Sequence, residues 1–265
     1  METATRYPGS RPFQDIELDR LVFFGREGEK HTLFHTILAE DLVLVYAKSG
    51  VGKTSLLNAG ILEDLRQADY FPVPLRLQGG SLTKLQDQVR EQARQDAIEI
   101  QENETSCDDL WHFFREVEFW KGDTLLTPVL IFDQFEELFS VCSNEERRKF
   151  IEAFFYLTHR RLPQRFLKCG DAVDIAHEKT PLFKLVIAMR EDFLGELELV
   201  AAKVPHVMHN RFRLERLTRQ QAEQAIRGPA EANDRRLRSK AFNYEKETVD
   251  QMLDFLCRQR DRLQE

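Results

Sequence analysis

Short apolar runs alternate along the chain with longer segments whose apolar residues recur every three or four positions. The short runs predict buried β-strands and the periodic segments predict amphipathic helices. Strands that alternate with helices favour parallel pairing through right-handed crossovers. The pattern therefore predicts an α/β fold with three layers and a parallel sheet. The predicted strands span residues 41–47, 70–78, 125–133, 181–190 and 206–217.

The predicted helices fill the intervals and follow the last strand. They span residues 26–39, 53–67, 81–102, 107–120, 144–161, 192–202, 218–230 and 243–263. Asn144 is the expected N-cap of its helix. Gly228-Pro229 is expected to close the helix that begins near 218. The last helix carries an apolar stripe, formed by Val249, Met252, Leu253, Phe255 and Leu256.

Changes in this pattern divide the chain into three parts. Residues 1–25 form an extended arm, punctuated by Pro8, Gly9 and Pro12. Residues 26–217 form the α/β core. Residues 218–265 form a C-terminal helical segment that we interpret as the start of a lid domain.

The composition argues against some classes of binding partner and indicates a cellular compartment. The formal net charge of −7 argues against a general affinity for nucleic acid or an anionic membrane. The four cysteines are scattered without a CxxC pair, which favours neither a zinc site nor a disulfide framework. Neither an apolar leader nor a run of about 18 apolar residues occurs. A cytoplasmic location is expected.

The first chemical motif follows the strand predicted at 41–47. Residues 47–54 read AKSGVGKT, which matches the phosphate-loop pattern G-x-x-x-x-G-K-[ST] except for Ala47 at its first position. Glycines let the backbone N–H groups turn inward around a phosphate. Lys53 is expected to reach the β- and γ-phosphates, and the Thr54 hydroxyl to bind Mg²⁺. The expected phosphate-binding residues are Ser49, Gly50, Val51, Gly52, Lys53, Thr54 and Ser55.

The second motif is DQFEELF, residues 133–139. Asp133 ends a buried strand, at the sheet edge where α/β proteins bind ligands, so we expect it to hold Mg²⁺. Glu136 or Glu137 is placed to orient or deprotonate an attacking water. Alternatively, each glutamate is an acid that the positive end of a helix dipole favours.

The third motif ends the strand predicted at 181–190. Arg190 is expected to face the same crevice and to sense the γ-phosphate. The alternative is an ion pair with Glu191 or Asp192.

With these motifs the chain resembles the STAND NTPases, signal-transduction ATPases with numerous domains. It is most similar to a bacterial branch with an N-terminal arm, a phosphate-loop helix and two later motifs in this order. Here these read YPGSRPF (7–13), FFGRE (23–27), GKTSLLNAGIL (52–62), DQFEELF (133–139) and REDFLG (190–195).

The resemblance implies properties that the spacing does not give. Phe24, Gly25 and Arg26 become candidate contacts of the adenine base, and Arg190 takes a sensor role. The family couples ATP and ADP, with Mg²⁺, to a conformational switch that oligomerises in the ATP state. Its members act in signalling or defence and join effector and sensor domains, neither of which is visible here. Further helical regions of the family would follow residue 265.

Two other functions remain open from the sequence. One is an interaction scaffold in which nucleotide is structural and turnover is negligible. The other is an AAA-like DNA loader, against which the acidic balance argues.

Overall fold

The structure is a computed structural model that describes residues 5–77, 82–102, 110–159 and 182–262. Several predicted features lie outside these ranges: Cys107, Cys169 and the parts of predicted elements at 78, 81, 107–109, 160–161, 181 and 263. The described chain forms two compact units. Unit 1 comprises residues 1–34, 50–64 and 214–265, and unit 2 comprises residues 35–49 and 65–213.

Unit 2 contains a mixed sheet of seven described strands, most of them parallel. The strands are β1 (Leu42–Ala47), β2 (Tyr70–Leu75), β3 (Glu99–Glu102), β4 (Val117–Lys121), β5 (Thr124–Asp133), β6 (Lys184–Arg190) and β7 (Arg211–Arg213). The parallel order is β2-β5-β6-β1-β7. This arrangement confirms the predicted α/β class and its parallel sheet.

Two strands at the side of this sheet, β3 and β4, lie in segments that were predicted to be helical. The sequence predicted helices over 81–102 and 107–120, but the first helix ends at Gln95 and β3 follows. β3 and β4 pair antiparallel, and β4 pairs antiparallel with the start of β5. In β4 the side chains of Val117 and Phe119 are buried and those of Glu118 and Trp120 are half-buried, which is the two-residue period of a strand. The helical prediction is confirmed for Leu82–Gln95 and Leu110–Glu116 and was wrong for 99–102 and 117–120, because segments of four residues are too short to separate the period of a strand from that of a helix.

The described helices alternate with the strands. They are α1 (Glu17–Arg20), α2 (Glu27–Ala39), α3 (Lys53–Ser55), α4 (Leu62–Gln67), α5 (Leu82–Gln95), α6 (Leu110–Glu116), α7 (Glu137–Ser140), α8 (Asn144–Thr158), α9 (Glu198–Ala201), α10 (Arg219–Glu231) and α11 (Lys246–Arg262). A π-helical turn, Leu56–Ile61, joins α3 to α4. None of the helices in the described ranges is long and apolar enough to cross a bilayer.

Helix ends differ from the predictions in two places. Ser143, not Asn144, caps α8, because its hydroxyl accepts the N–H of Glu146 while the Glu146 carboxylate accepts the N–H of Ser143. α10 continues through Gly228-Pro229 instead of ending there. In α11, only part of the predicted stripe is buried: Val249 and Leu253 are covered, whereas Met252, Phe255 and Leu256 are exposed. The strand predicted at 206–217 is limited to β7.

The core of unit 2 is built around phenylalanine, which fills the space beneath the end of β5. Phe132 lies edge-on to Phe150 and Phe154, with ring centroids 5.7 and 6.3 Å apart. Phe135 contacts the same two rings. All four side chains are fully buried, so α8 is fixed against the turn that follows Asp133.

In unit 1 the N-terminal arm is held by hydrogen bonds to α10 and the chain after it. The buried guanidinium of Arg6 donates to the carbonyl oxygens of Pro229, Ala232 and Ser239 at 2.6–2.7 Å. The Tyr7 hydroxyl donates to the Ile226 carbonyl at 2.6 Å. Burial, together with a hydrogen bond to a neighbouring tyrosine, raises the pKa of Tyr7 above its ordinary value. The described part of the arm, residues 5–25, therefore belongs to the folded structure of unit 1.

Arg11 ties the arm to α1. Its guanidinium donates to both carboxylate oxygens of the buried Asp19, at 2.6 and 2.7 Å. Burial opposes ionisation of Asp19, but these bonds and the Gln14 N–H outweigh it and lower its pKa.

A buried lysine closes the C-terminal end of α2 within unit 2. Lys184 Nζ donates to the carbonyl oxygens of Leu38 and Glu40, at 3.0 and 3.1 Å. These carbonyls lie where a helix leaves acceptors without intrahelical partners, and where its dipole favours a cation.

Lys184→Met should lower the free energy of unfolding by about 1–3 kcal/mol, because it leaves two partly buried carbonyl groups without this donor. Urea denaturation followed by circular dichroism measures the change. Lys149→Met is the matched control, since Lys149 is exposed and pairs with Glu145 on the helix surface. Equal losses for both variants would contradict the capping role.

Candidate functional site

The glycine loop begins where β1 ends. Ala47 is the last residue of β1 and pairs with Arg190 of β6, so the strand needs no glycine at this position. Gly50 and Gly52 both have left-handed backbone angles, with φ of 75° and 102°. Apart from the adjoining residues of the chain, no atom lies within 4 Å of a Cβ built on either residue, so backbone conformation alone requires glycine there. α3 begins at Lys53, directly after the second turn, with Thr54 as its second residue.

The helical segment after the loop binds the arm. The Ser55 hydroxyl accepts the N–H of Phe13 at 3.2 Å, and Asn58 Nδ2 donates to the Phe13 carbonyl at 3.0 Å. Both polar groups of one arm residue are thus satisfied by the turn that follows the loop. Ser55 was predicted beside the phosphates, and the structure adds this contact with the arm.

Unit 1 contains a cavity of about 340 Å³, a size typical of sites for small organic ligands. Five predicted residues line it: Phe24, Arg26, Val51, Gly52 and Ser55. Tyr7, Pro8 and Gly9 of the arm and Pro229 of α10 also line it. No site role was predicted for Pro229, because the glycine–proline motif with which the family contacts adenine was expected after about residue 265.

Asp133 is buried at the carboxyl end of β5 in unit 2. Its Oδ1 accepts the N–H of Gln134 at 3.0 Å, and Gln134 takes a left-handed conformation that turns the chain away from the strand. Its Oδ2 accepts from Arg76 Nη2 at 3.1 Å. Arg76 Nη1 also lies 4.0 Å from Glu137 Oε1. Arg76 follows β2, and the sequence analysis did not identify it because it belongs to no recognised motif.

Glu136 and Arg190 meet at the adjoining strand end. Glu136 Oε2 accepts the main-chain N–H of Arg190 at 3.2 Å. The Arg190 guanidinium pairs with Asp192, which is one of the two partners that the sequence left open. Its Nε is buried and has no hydrogen-bond partner among the residues that the structure describes. Parallel pairing aligns Ala47 with Arg190, and Asp133 with Ala188, so the ends of β1, β5 and β6 meet at one edge of the sheet.

Two solved structures are among those found to be similar to this chain. The ORC2 protein of Aeropyrum pernix, in ADPNP-ADP complexes, is 12% identical with a TM-score of 0.49, over 86% of this chain and 55% of that one. Cdc6p of Pyrobaculum aerophilum is 15% identical with a TM-score of 0.48, over 84% and 52%. This chain therefore spans about half the length of both proteins.

A search of curated protein sequences gave no match to this chain. The family model described as Novel STAND NTPase 1 matches residues 7–263. That match includes residues 7–25 of the arm, the glycine loop, the DQFEELF segment and Arg190. The chain belongs to the Novel STAND NTPase 1 family.

Proposed function

We propose that this chain is an ATP-binding switch of the STAND type, in which slow Mg²⁺-dependent hydrolysis is coupled to conformational change and oligomerisation. Signalling or defence is the role that fits such a switch. The observation that carries the proposal is the loop after β1, where two left-handed glycines lead directly into a helix that begins with Lys53 and Thr54. Such a loop presents N–H groups to a phosphate, and the helix start favours its negative charge.

The residues present fit a nucleotide with its metal ion. Within the described residues, no group of three or more histidine, cysteine or acidic side chains is arranged to hold a metal by itself. That suits Mg²⁺, which protein sites bind through one or two side chains together with phosphate oxygens. The proposed protein ligands of the ion are the Thr54 hydroxyl and the Asp133 carboxylate. When bound, the ion neutralises phosphate charge.

The contact between Arg76 and Asp133 supports the proposal that Asp133 binds the metal ion. A buried carboxylate at a strand end needs a positive partner, and Arg76 supplies one in this structure. We infer that Asp133 exchanges this partner for the metal when nucleotide binds.

We assign general-base catalysis to Glu137. The Glu136 carboxylate is engaged by the main chain of Arg190, whereas Glu137 shares Arg76 with Asp133. In this role Glu137 accepts a proton from the attacking water. Arg190 serves as the sensor, because its buried Nε is a donor suited to an anionic ligand.

The unit 1 cavity is the proposed base site. Its volume and aromatic lining suit a purine, and its lining includes Val51 and Gly52 of the phosphate loop. ATP and ADP are the proposed ligands. Effector and sensor partners of this switch are inferred from the family alone.

Lys53→Ala should weaken binding of Mg·ATP about tenfold to a hundredfold, because it removes a hydrogen bond between charged groups worth about 1.5–3 kcal/mol. Isothermal titration calorimetry measures the affinity. Lys121→Ala removes the same charge from the exposed end of β4 and should leave affinity unchanged. Equal affinities in all three proteins would contradict the role of the loop.

Glu137→Gln should lower the rate of phosphate release about 10²- to 10⁴-fold while nucleotide still binds, as expected for loss of a general base. Glu136→Gln is the matched control, because its amide oxygen still accepts the Arg190 N–H. Loss of turnover only in Glu136→Gln would reverse the assignment. Unchanged turnover in both variants would favour the scaffold function.

Wild-type protein should have a larger mass in solution with a non-hydrolysable ATP analogue than with ADP. The γ-phosphate provides the differential contact that a two-state switch requires. Light scattering coupled to size-exclusion chromatography measures both masses. Identical masses would count against nucleotide-dependent oligomerisation by this chain.

A further inference from the structure

A continuous chain of polar contacts runs through unit 1 from the glycine loop to α10. Arg26 Nη2 donates to the carbonyl oxygen of Val51 at 3.2 Å. Arg26 Nη1 donates to Glu29 Oε1 at 2.6 Å. Gln221 Nε2, on the first turn of α10, lies 2.9 Å from both carboxylate oxygens of Glu29. Three side chains thus connect the loop carbonyl to a helix that lies far from it in the sequence.

The donors and acceptors of each side chain determine its position in this series of polar contacts. Arg26 is buried, so its guanidinium requires acceptors, and it finds them in Glu29 and Val51. Glu29 is acceptor-only and lies between two donors. The amide oxygen of Gln221 accepts the N–H of Thr218 at 2.9 Å in the capping box of α10. Both ends of the Gln221 amide are therefore occupied, and its orientation has no equivalent alternative.

Steric contacts hold α10 against the same FFGRE segment. A Cβ on Gly25 would lie 2.3 Å from the Gln221 carbonyl oxygen, and Gly25 has a φ of 85°. A Cβ on Gly228 would lie 2.4 Å from Phe24 Cγ. Glycine is required at both positions because backbone and ring approach too closely for any side chain. The contacts are about two helical turns apart on α10, so they fix the helix along its length.

We propose that Arg26, Glu29 and Gln221 form a relay that makes the position of α10 depend on the conformation of the glycine loop. The inference rests on the proposed nucleotide binding. Val51 lies between two left-handed glycines, so a phosphate that reorients the loop also reorients the carbonyl that Arg26 binds. A shift of Arg26 changes its pair with Glu29, and with it the anchor of α10. The three side chains are positioning residues. The FFGRE segment would then position α10 in addition to contacting the nucleotide.

α11 is attached to α10 and would move with it. Arg219 Nη1 and Nη2 donate to Asp254 and Asp250 of α11, at 2.7 and 3.1 Å. Exposed ion pairs of this kind contribute little to stability by themselves. α11 is also fixed by two buried side chains, Val249 and Leu253. A shift of α10 caused by the relay would therefore shift α11 as well.

Gln221→Glu tests the relay without removing the helix cap. Glutamate at this position is the standard acceptor of a capping box, so the Thr218 N–H keeps its partner. The donor to Glu29 is lost, and two carboxylates face each other instead. Gln224→Glu is the matched control, because it adds the same charge to an exposed position of α10.

A double variant, Glu29→Gln with Gln221→Glu, restores the contact with donor and acceptor exchanged. The amide introduced on α2 then donates to the carboxylate introduced on α10, and the oxygen of that amide still accepts from Arg26. Coupling predicts that this double variant recovers what Gln221→Glu loses. A general loss of stability would not be reversed by a second change.

Two measurements are made on the full chain: the dissociation rate of a fluorescent ADP, and hydrogen exchange in α10 with and without ADP. We expect ADP to slow exchange in α10 of the wild type and of Gln224→Glu. In Gln221→Glu, we expect that protection to be lost and ADP to dissociate at least about fivefold faster, the low end of typical coupling between sites. The double variant should return towards wild type in both measurements.

Any different result contradicts either the relay or the proposed function. If wild type binds ADP but Gln221→Glu matches Gln224→Glu, the relay is wrong and the proposed function stands. If the double variant behaves no better than Gln221→Glu, the loss is structural and the relay is wrong. If wild type binds no ADP, the proposed function fails and the relay fails with it.

Discussion

The parallel pairing of β6 with its two neighbours is the constraint on which the site of unit 2 depends. β6 lies between β1 and β5, so Arg190 pairs with the last residue of β1 while Asp133 lies opposite Ala188. Residues from distant parts of the sequence that were predicted to act at the site lie at one edge of the sheet, because parallel strands end together. The phenylalanine cluster beneath β5 holds this edge against α8.

Charge compensation is the second organising feature of that edge. Asp133 and Glu137 share Arg76, Glu136 binds the main chain of Arg190, and the Arg190 guanidinium pairs with Asp192. A buried carboxylate without such partners would be strongly disfavoured. Any cation that joins Asp133 must therefore compete with the Arg76 guanidinium.

Unit 1 is organised by side chains that satisfy main-chain carbonyl groups. Arg6 binds three carbonyls near the end of α10, Tyr7 binds one within it, and Arg26 binds the Val51 carbonyl in the loop. Such bonds are directional and are lost together if the segments separate. The arm, the loop and α10 consequently form one hydrogen-bonded assembly, and residues of all three line the cavity of unit 1.

The sequence by itself determined the α/β class, the parallel strands and the loop motif, because these depend on local periodicity and on residue types at fixed spacing. It did not predict β3 and β4, since short strands and helix ends have similar apolar patterns. The division into arm, core and lid, and the individual roles of the site residues, remain predictions. Only the tertiary structure assigned Arg76 to Asp133, Gln221 to Glu29 and Pro229 to the cavity lining. These pairings join residues far apart in the chain, and no local pattern encodes which donor reaches which acceptor once the elements have packed.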